Sequence, residues 1–301
     1  MKKIPIVYHP GYSIPFPADH RFVMSKFSRL YRVLQEEGLL DSQNHYIPEK
    51  IGMETILLAH EGEYTGRVFH GQMTKEELRE MGLPYSRELV ERVLSEVSGT
   101  ILAGKIALQK GIACNAGGGT HHAHPSRASG FCIFNDVAVA IRVLQSENLI
   151  KKALIIDLDV HQGDGNSAFF GMDENVYVFS MHGEKNFPVR KVQSDLDIPL
   201  KDRMEDEEYL ELLNINLVKI FENFRPDLVY YDAGIDVFMG DELGRLSLTE
   251  GGIYNRDIYV LKSCRERQIP VATVIGGGYD RDHDLLAKRH AIVFKSASEV
   301  F

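Results

Sequence analysis

The feature that most constrains the fold is an alternation of short apolar runs with longer amphipathic segments along the whole chain. Several of the runs are β-branched throughout, which is typical of strands buried on both faces of a parallel sheet. The runs lie at 6–8, 112–114, 153–156, 176–179, 228–231 and 271–275. Strands that alternate with helices predict an α/β fold with a mainly parallel sheet flanked by helices.

Capping signals mark where several of the predicted helices begin. Thr74 and Glu77 form a capping-box pattern, and Ser86 can cap a long helix that runs to Lys110. Other helices are predicted over 27–34, 136–145, 206–224, 249–267 and 280–295. The least regular segment, from about 45 to 82, is predicted to be a loop-rich insertion at the sheet edge. No repeat or linker divides the chain, so residues 1–301 are predicted to form a single domain.

The charge balance and cysteine content disfavour several classes of protein. Against 43 acidic residues there are 34 basic ones, a formal net charge of −9, and no basic stripe favours nucleic-acid binding. An acidic surface would instead attract cationic substrates such as lysine side chains or polyamines. We expect neither a signal peptide nor a membrane span, because no apolar run is long enough. Widely spaced Cys114, Cys132 and Cys264 suit a reducing cytoplasm and not a cysteine-based zinc site.

Titratable or glycine-rich segments follow five of the six apolar runs. In open parallel sheets, ligands bind at the carboxyl ends of the strands, so these segments are predicted to converge on one site. They are the segments 117–122, 157–165, 180–182, 232–236 and 276–279.

The segment 157–165 has the clearest pattern. On an extended chain side chains alternate, so Asp157, Asp159 and His161 would point to one side and form half of a divalent-metal site. Asp236, in the loop after a later strand, is the best candidate for a third ligand. Such a set leaves an open coordination position, as catalytic zinc sites do. Its oxygen-rich chemistry also accepts Fe²⁺, Co²⁺ or Mn²⁺.

Adjacent histidines and a tyrosine complete the predicted site. In an irregular loop, His121 and His122 can each reach it with a carboxylate partner, and Asp157 and Asp164 are available. A histidine held by a carboxylate is a tuned general acid or base. Tyr279 follows three glycines and can donate a hydrogen bond to a developing oxyanion.

Other polar residues are predicted to be structural. Asp232, the rival metal ligand, is interpreted as a solvated or helix-capping carboxylate. Five histidines are also interpreted as structural: His9, His20, His60, His124 and His182.

Together these segments resemble the zinc-dependent histone deacetylase superfamily, which has the arginase/deacetylase fold, over roughly residues 8–295. The resemblance is strongest in GGGTHHAHPSRASGFCIFND at 117–136, DLDVHQGDG at 157–165, AGID at 233–236 and GGGY at 276–279. With LGRLSL at 243–248, the chain is most similar to the compact class IV branch and its bacterial relatives. Some class IV relatives carry asparagine where this chain has Asp164.

The resemblance implies a deacetylase-like hydrolase of amide bonds that uses Zn²⁺, with Fe²⁺ or another divalent ion as an alternative. It implies the metal ligands Asp159, His161 and Asp236. It pairs His121 with Asp157 and His122 with Asp164. The implied catalytic residues are His121, His122, Asp157, Asp164 and Tyr279.

The resemblance also implies a substrate channel and a monovalent-cation site. The channel residues would be Phe131, Phe187, Gly130 and Gly277. The cation, K⁺, would be bound by the Asp157 carboxylate, by Ser180 and by backbone carbonyls of Asp159, His161 and Met181. A rim carboxylate that grips the substrate backbone should lie within about 61–85, but the sequence does not identify it.

Several functions stay open within this interpretation. The favoured substrate is an acyl-lysine protein, of undefined acyl length, and the alternative is an acetylpolyamine or another small acylated amine. A dinuclear manganese ureohydrolase is a rival on the same fold, but its second set of ligands is not evident around Asp232 and Asp236. A non-catalytic binding protein is disfavoured because every expected catalytic position is filled. The sequence leaves the oligomeric state undefined.

Overall fold

The computed structural model describes residues 2–301, and eight strands of that part of the chain form a single sheet. The strands are β1 (Ile6–Val7), β2 (His45–Tyr46), β3 (Ile112–Asn115), β4 (Ala153–Asp157), β5 (Val176–Gly183), β6 (Leu196–Leu200), β7 (Leu228–Asp232) and β8 (Val271–Val274). Their order in the sheet is β2-β1-β3-β8-β7-β4-β5-β6, and neighbouring strands pair in parallel. The predicted α/β fold with a parallel sheet is confirmed.

Helices connect the strands and cover the sheet. Within the described residues they are α1 (Lys26–Glu36), α2 (Met53–Ile56), α3 (Gly62–His70), α4 (Lys75–Met81), α5 (Arg87–Lys110), α6 (Asp136–Ser146), α7 (Asp164–Phe170), α8 (Asp206–Asn223), α9 (Glu250–Glu266) and α10 (His283–Val300). The Thr74–Glu77 capping box is present, and the Ser86 hydroxyl accepts a hydrogen bond from the Leu89 amide. Across residues 2–301, no helix combines the length and the apolar character that crossing a membrane requires.

The structure adds elements that the sequence patterns did not predict. The segment 45–82 is more regular than a loop-rich insertion, because it holds the edge strand β2 and the helices α2 and α3 in addition to α4, whose start the Thr74–Glu77 capping box predicts. Strand β6 is partly exposed and contains Pro199, so it lacks the continuous apolar character of a central strand. Helix α7 is short and begins Asp-Gly-Asn, residues with low helix propensity.

Helix α5 packs on the sheet so closely that glycine is required at one position. Tyr230 on β7 projects toward α5 and donates a hydrogen bond to the Thr100 carbonyl. A Cβ atom at Gly104 would lie 2.1 Å from the Tyr230 hydroxyl, inside any possible contact distance. The long helix therefore fixes the position of the central strands from one face.

The central strands end together, which brings their following loops to one edge of the sheet. Asp157, the last residue of β4, is in register with Ser180 on β5 and with Asp232, the last residue of β7. Val274 on β8 is in register with Asp232. The loops that follow β4, β7 and β8 therefore start side by side, and they carry the polar segments singled out in the sequence.

Candidate active site

Two carboxylates and an imidazole meet at this edge. Nδ1 of His161 lies 3.0 Å from Asp159 Oδ1 and 3.1 Å from Asp236 Oδ2, and all three side chains are buried. The carboxylates are held from behind, since the amide of Gly277 donates to Asp159 Oδ2 and that of Val160 donates to Asp236 Oδ1. Their potential ligand atoms lie within 4.8 Å of one another, as a single divalent cation requires.

Glycines make room for these carboxylates. A Cβ atom at Gly277 would lie 2.1 Å from Asp236 Oδ2 and 2.6 Å from Asp159 Oδ2, and one at Gly234 would lie 2.5 Å from Asp159 Oδ2. Any side chain at either position would therefore displace a ligand oxygen. One imidazole nitrogen and two carboxylates match the donor set of a catalytic divalent-metal site with three protein ligands.

Asp157 does not share a face with Asp159 and His161 as predicted. Strand β4 ends at Asp157 and the chain bends from Asp159 to His161, so the alternation of an extended strand stops there. Asp157 turns instead to His121, whose Nδ1 lies 2.8 Å from Asp157 Oδ2. Asn166 on α7 also donates to this oxygen, at 3.3 Å.

The two adjacent histidines lie side by side, each against its own carboxylate. His122 Nδ1 lies 2.7 Å from Asp164 Oδ1, and the His121 and His122 ring centroids are 4.1 Å apart. The His122 ring also faces His161 edge-on, with 5.8 Å between the centroids. The structure therefore brings both predicted histidine–aspartate pairs next to the metal-binding group.

The two pairs differ in their charge. Burial disfavours an imidazolium at His121, but Asp157 and Asp159 outweigh it and raise the pKa of His121 well above its usual range. Burial, together with the charge of His121, lowers the pKa of His122 to about 4. At neutral pH His121 is therefore charged while His122 is a neutral base.

The interpretation of Asp232 as solvated or helix-capping was wrong. Asp232 is buried, and neither of its carboxylate oxygens has a hydrogen-bond partner within residues 2–301. Its ligand atoms, with those of His121 and Asp157, form a second group within 4.8 Å, and Oδ2 lies 3.9 Å from His121 Nδ1. Burial and the neighbouring Asp157 raise the pKa of Asp232 well above its ordinary value.

Tyr279 also lies beside the metal-binding group. Its ring meets that of His161 edge-on, with 6.3 Å between the centroids. Asp241, a residue that the sequence patterns did not single out, fixes the tyrosine backbone by accepting from the Tyr279 amide at 2.7 Å. The other Asp241 oxygen accepts from the Leu243 and Gly244 amides. In the sequence, the only indication of a role for Asp241 is its position five residues after Asp236.

The predicted channel residues flank the histidine and the tyrosine. The Phe187 ring stands edge-on to His122 at 4.8 Å, and the Phe131 ring lies 6.3 Å from that of Tyr279. Phe131 has a φ of +68°, a strained conformation for a bulky side chain, and its amide donates to the Met81 carbonyl. Gly130 is equally constrained, because a Cβ there would lie 2.6 Å from His122 Cδ2.

These side chains separate an outer mouth from an inner cavity. The mouth has a volume of about 420 Å³ and reaches Phe131, Phe187 and Tyr279 from the surface. The inner cavity, of about 40 Å³, extends behind the metal-binding group toward Phe22 and Lys26. The mouth also includes Glu80, a carboxylate within the segment where the sequence resemblance places a rim carboxylate.

Three further polar residues surround this arrangement. His124 contacts the same carboxylate as His122, with Nε2 2.8 Å from Asp164 Oδ2, so the pair is in fact a triad. Ser180 Oγ lies 2.9 Å from His182 Nδ1.

The predicted K⁺ site at Asp157, Asp159, His161, Ser180 and Met181 stays a prediction.

A buried arginine supports the loops that carry the ligands. Arg256 Nη1 donates to the Leu158 carbonyl at 3.1 Å and to the Gly234 carbonyl at 2.7 Å, while Nε donates to Asp257 at 2.9 Å. Leu158 immediately precedes Asp159, and Gly234 lies two residues before Asp236. One guanidinium therefore joins the two ligand loops from below.

Comparisons with known proteins were consistent with one another. The family model described as the histone deacetylase domain matches residues 20–295. An uncharacterized protein of Picosynechococcus sp. is 44% identical over 297 residues, with 99% of each chain covered. Histone deacetylase 2 of Arabidopsis thaliana is 32% identical over 292 residues, covering 93% of this chain and 75% of that one. The crystal structure of an HDAC homolog complexed with SAHA has a TM-score of 0.82 and 25% identity, covering 100% of this chain and 85% of the other.

Replacing the buried arginine tests its support of the ligand loops. We expect Arg256→Met to lower the free energy of unfolding by about 3–5 kcal/mol, because Asp257 is left as an uncompensated buried charge. The double variant Arg256→Met/Asp257→Asn should recover much of that stability without recovering metal affinity. Urea denaturation and metal titration measure the two effects, with Arg225→Met, at an exposed position, as control. Wild-type stability in Arg256→Met would refute the role of Arg256 in supporting the ligand loops.

Metal affinity should depend on pH through His161. Burial opposes a charge on His161, but hydrogen bonds with Asp159 and Asp236 outweigh burial and raise its pKa to about 10. The imidazole therefore carries a proton below about pH 10 that a metal must displace, so affinity is expected to rise with pH. For one released proton the rise is about tenfold per pH unit.

Competition against a chromophoric chelator at pH 6, 7 and 8 measures this slope for Zn²⁺. Calorimetry in buffers of different ionisation enthalpy counts the released protons independently. An affinity that stays constant over this range would contradict the expected proton displacement.

Proposed function

The chain belongs to the histone deacetylase family, and we propose that it is a zinc-dependent hydrolase that removes short acyl groups from lysine side chains. The family suggests a hydrolase that acts on amides. One observation carries the finer proposal: His122, which pairs with Asp164, lines the same cavity as Asp159, His161 and Tyr279, and Asp236 completes the ligand group of Asp159 and His161. Free, buried cysteines accord with a cytoplasmic location.

The metal-binding group suits the proposed cofactor. Asp159, His161 and Asp236 would hold the ion, and Zn²⁺ accepts one nitrogen and two oxygen ligands while keeping an open position. Fe²⁺ is an alternative, because this donor set discriminates weakly between the two ions. A bound divalent ion supplies Lewis-acid polarisation of the acyl carbonyl and lowers the pKa of water.

His122 is placed to move the protons of the reaction. Because its Nδ1–H faces Asp164, the neutral ring leaves Nε2 free to accept the proton of an attacking water. Its pKa of about 4 keeps the base form populated throughout the physiological range. The same nitrogen can then return a proton to the leaving amine, while Asp164 keeps the ring oriented.

His121 and Tyr279 stabilise the charge that develops on the acyl oxygen. His121, charged through its pairing with Asp157, supplies a fixed positive potential beside the reacting carbonyl. Burial, followed by the charges of Asp236 and Asp159, raises the pKa of Tyr279 well above its usual value. The phenol therefore keeps its proton and serves as a hydrogen-bond donor to the oxyanion.

The inner cavity limits the acyl group. Its volume of about 40 Å³ has room for roughly three water molecules. Phe22 and Phe27 line it, and Lys26 reaches into the same wall and donates to the Gly276 carbonyl at 2.9 Å. An acetyl group matches this space, whereas a long acyl chain would have to displace the aromatic wall. The ammonium of Lys26 also favours the carboxylate that hydrolysis releases.

A dinuclear hydrolase is the second candidate, because His121, Asp157 and Asp232 form another group of potential ligands. His121 Nδ1 contacts Asp157 Oδ2 at 2.8 Å, as His161 Nδ1 contacts Asp159 and Asp236 at 3.0 and 3.1 Å, so the contact geometry fits an ion at either group. Metal analysis of reconstituted protein distinguishes the two. One ion per chain supports the deacylase, and two ions support the dinuclear enzyme.

Removing the tyrosine hydroxyl tests the oxyanion assignment. Tyr279→Phe should lower kcat for an acetyl-lysine peptide by about 10²-fold, the usual effect of losing one oxyanion donor. Metal content should be unchanged, because Tyr279 is outside the ligand group. Tyr259→Phe, on the outer helix α9, is the matched control. A near wild-type rate for Tyr279→Phe would refute its role.

A series of acyl-lysine peptides tests the acyl length. We expect kcat/KM to be highest for acetyl and to fall by on the order of tenfold or more by octanoyl, because the inner cavity cannot hold the longer chain. Phe22→Ala should shift the preference toward longer chains. Equal turnover of acetyl and octanoyl peptides would show that the cavity wall does not select for acyl-chain length. The absence of turnover with every peptide would overturn the acyl-lysine proposal itself.

A further inference from the structure

The mouth of the site is lined by four cationic side chains. They are Arg21, Arg79, Lys185 and Arg245, and all four are exposed. They come from four separate parts of the chain: the segment before α1, helix α4, the segment after β5 and the loop between β7 and α9. Among the described residues that line the mouth, Glu80 is the one carboxylate.

These four cations form few and weak ion pairs with carboxylates. Arg21 forms no ion pair within residues 2–301. Arg79 approaches Glu76 of its own helix at 3.6 Å, with both side chains more than 70% exposed. Lys185 and Arg245 share a single carboxylate, Asp202, at 3.6 Å and 3.4 Å. Such long, solvated pairs are weak, so the guanidinium and ammonium groups stay available to a ligand.

The local charge is opposite to that of the whole chain. The formal net charge is −9, which favours cationic substrates in general. The exposed residues that line the mouth carry four positive charges and one negative charge, and when the partners Glu76 and Asp202 are included the balance is still positive by one. Within about a Debye length, near 10 Å at 0.1 M salt, these nearby charges dominate the interaction with a ligand.

We propose that the mouth selects acyl-lysines that lie in acidic segments of a polypeptide. This inference rests on the proposed deacylase function and names its substrate class. Lys185 and Arg245 lie together at Asp202, while Arg21 and Arg79 come from two other segments that line the same opening. Aspartate or glutamate side chains on both sides of an acyl-lysine fit that distribution. The same charges repel acetylated polyamines, which are cationic along their length.

Matched peptides test the charge selection. Three acetyl-lysine heptapeptides differ only in the residues that flank the acetyl-lysine, which are glutamate, glutamine or lysine. We expect kcat/KM to decrease in that order, with the glutamate peptide preferred over the glutamine peptide by about tenfold at low salt. The preference should shrink as ionic strength rises, because exposed charges are screened.

Variants assign the preference to the mouth. The quadruple variant Arg21→Gln, Arg79→Gln, Lys185→Gln and Arg245→Gln should bring the ratio of kcat/KM for the glutamate and glutamine peptides close to one. Arg225→Gln is the matched control. Arg225 is exposed and precedes β7, so it lies at the opposite edge of the sheet, and the ratio should stay at its wild-type value.

A binding measurement separates this inference from the proposed function. Fluorescence anisotropy with labelled versions of the same peptides reports the charge preference even without turnover. Turnover of all three peptides at equal rates, with equal binding, would overturn the charge selection and leave the deacylase standing. Preferential binding of the glutamate peptide without turnover of any peptide would support the charged mouth and overturn the deacylase. A glutamate preference that survives the quadruple substitution would also refute the assignment.

Discussion

The guanidinium of Arg256 is the interaction on which the geometry of the site depends. It is fully buried below the carboxyl edge of the sheet, where it donates to carbonyls of both ligand loops and pairs with Asp257. Backbone carbonyls at strand ends have lost their sheet partners, and an arginine can satisfy several of them from a fixed planar fork. Because the same group bonds to the loops of Asp159 and Asp236, a shift of either loop backbone at Leu158 or Gly234 would break a buried hydrogen bond.

That rigidity makes an otherwise unfavourable concentration of charge possible. Asp157, Asp159, Asp232 and Asp236 are all buried within one small region, where like charges repel strongly at low dielectric. A charged His121 compensates part of this negative potential, and a divalent cation between Asp159 and Asp236 would compensate more. The folded chain therefore favours the binding of a positive charge among these carboxylates. A flexible loop would relax this repulsion by exposing its carboxylates to water, and the buried fork of Arg256 prevents that.

Much of this arrangement follows from local sequence rules. Buried parallel strands read as short apolar runs, and the carboxyl ends of such strands must collect the polar residues that follow them. These rules predict that Asp159, His161 and Asp236 lie at one edge of the sheet together with His121 and His122. They fail where the chain leaves regular structure: the alternation that placed Asp157 beside Asp159 assumes an extended backbone, and β4 ends at Asp157. Edge strand β6 was missed for a related reason, because partial exposure removes the apolar signal.

What the sequence conceals is the pairing of residues that are distant along it. Asp232 resembles a solvated strand-end carboxylate until β4 and β8 enclose it, and glycines at 119 and 276 let the backbone close over its oxygens. The charge of the mouth is hidden in the same way. Arg21 and Arg245 are separated by more than two hundred residues, and only the fold places them around one opening. A net charge of −9 averages over the whole surface. A substrate responds to the few charges within a Debye length of its scissile bond, so the fold determines the sign of the potential that it meets.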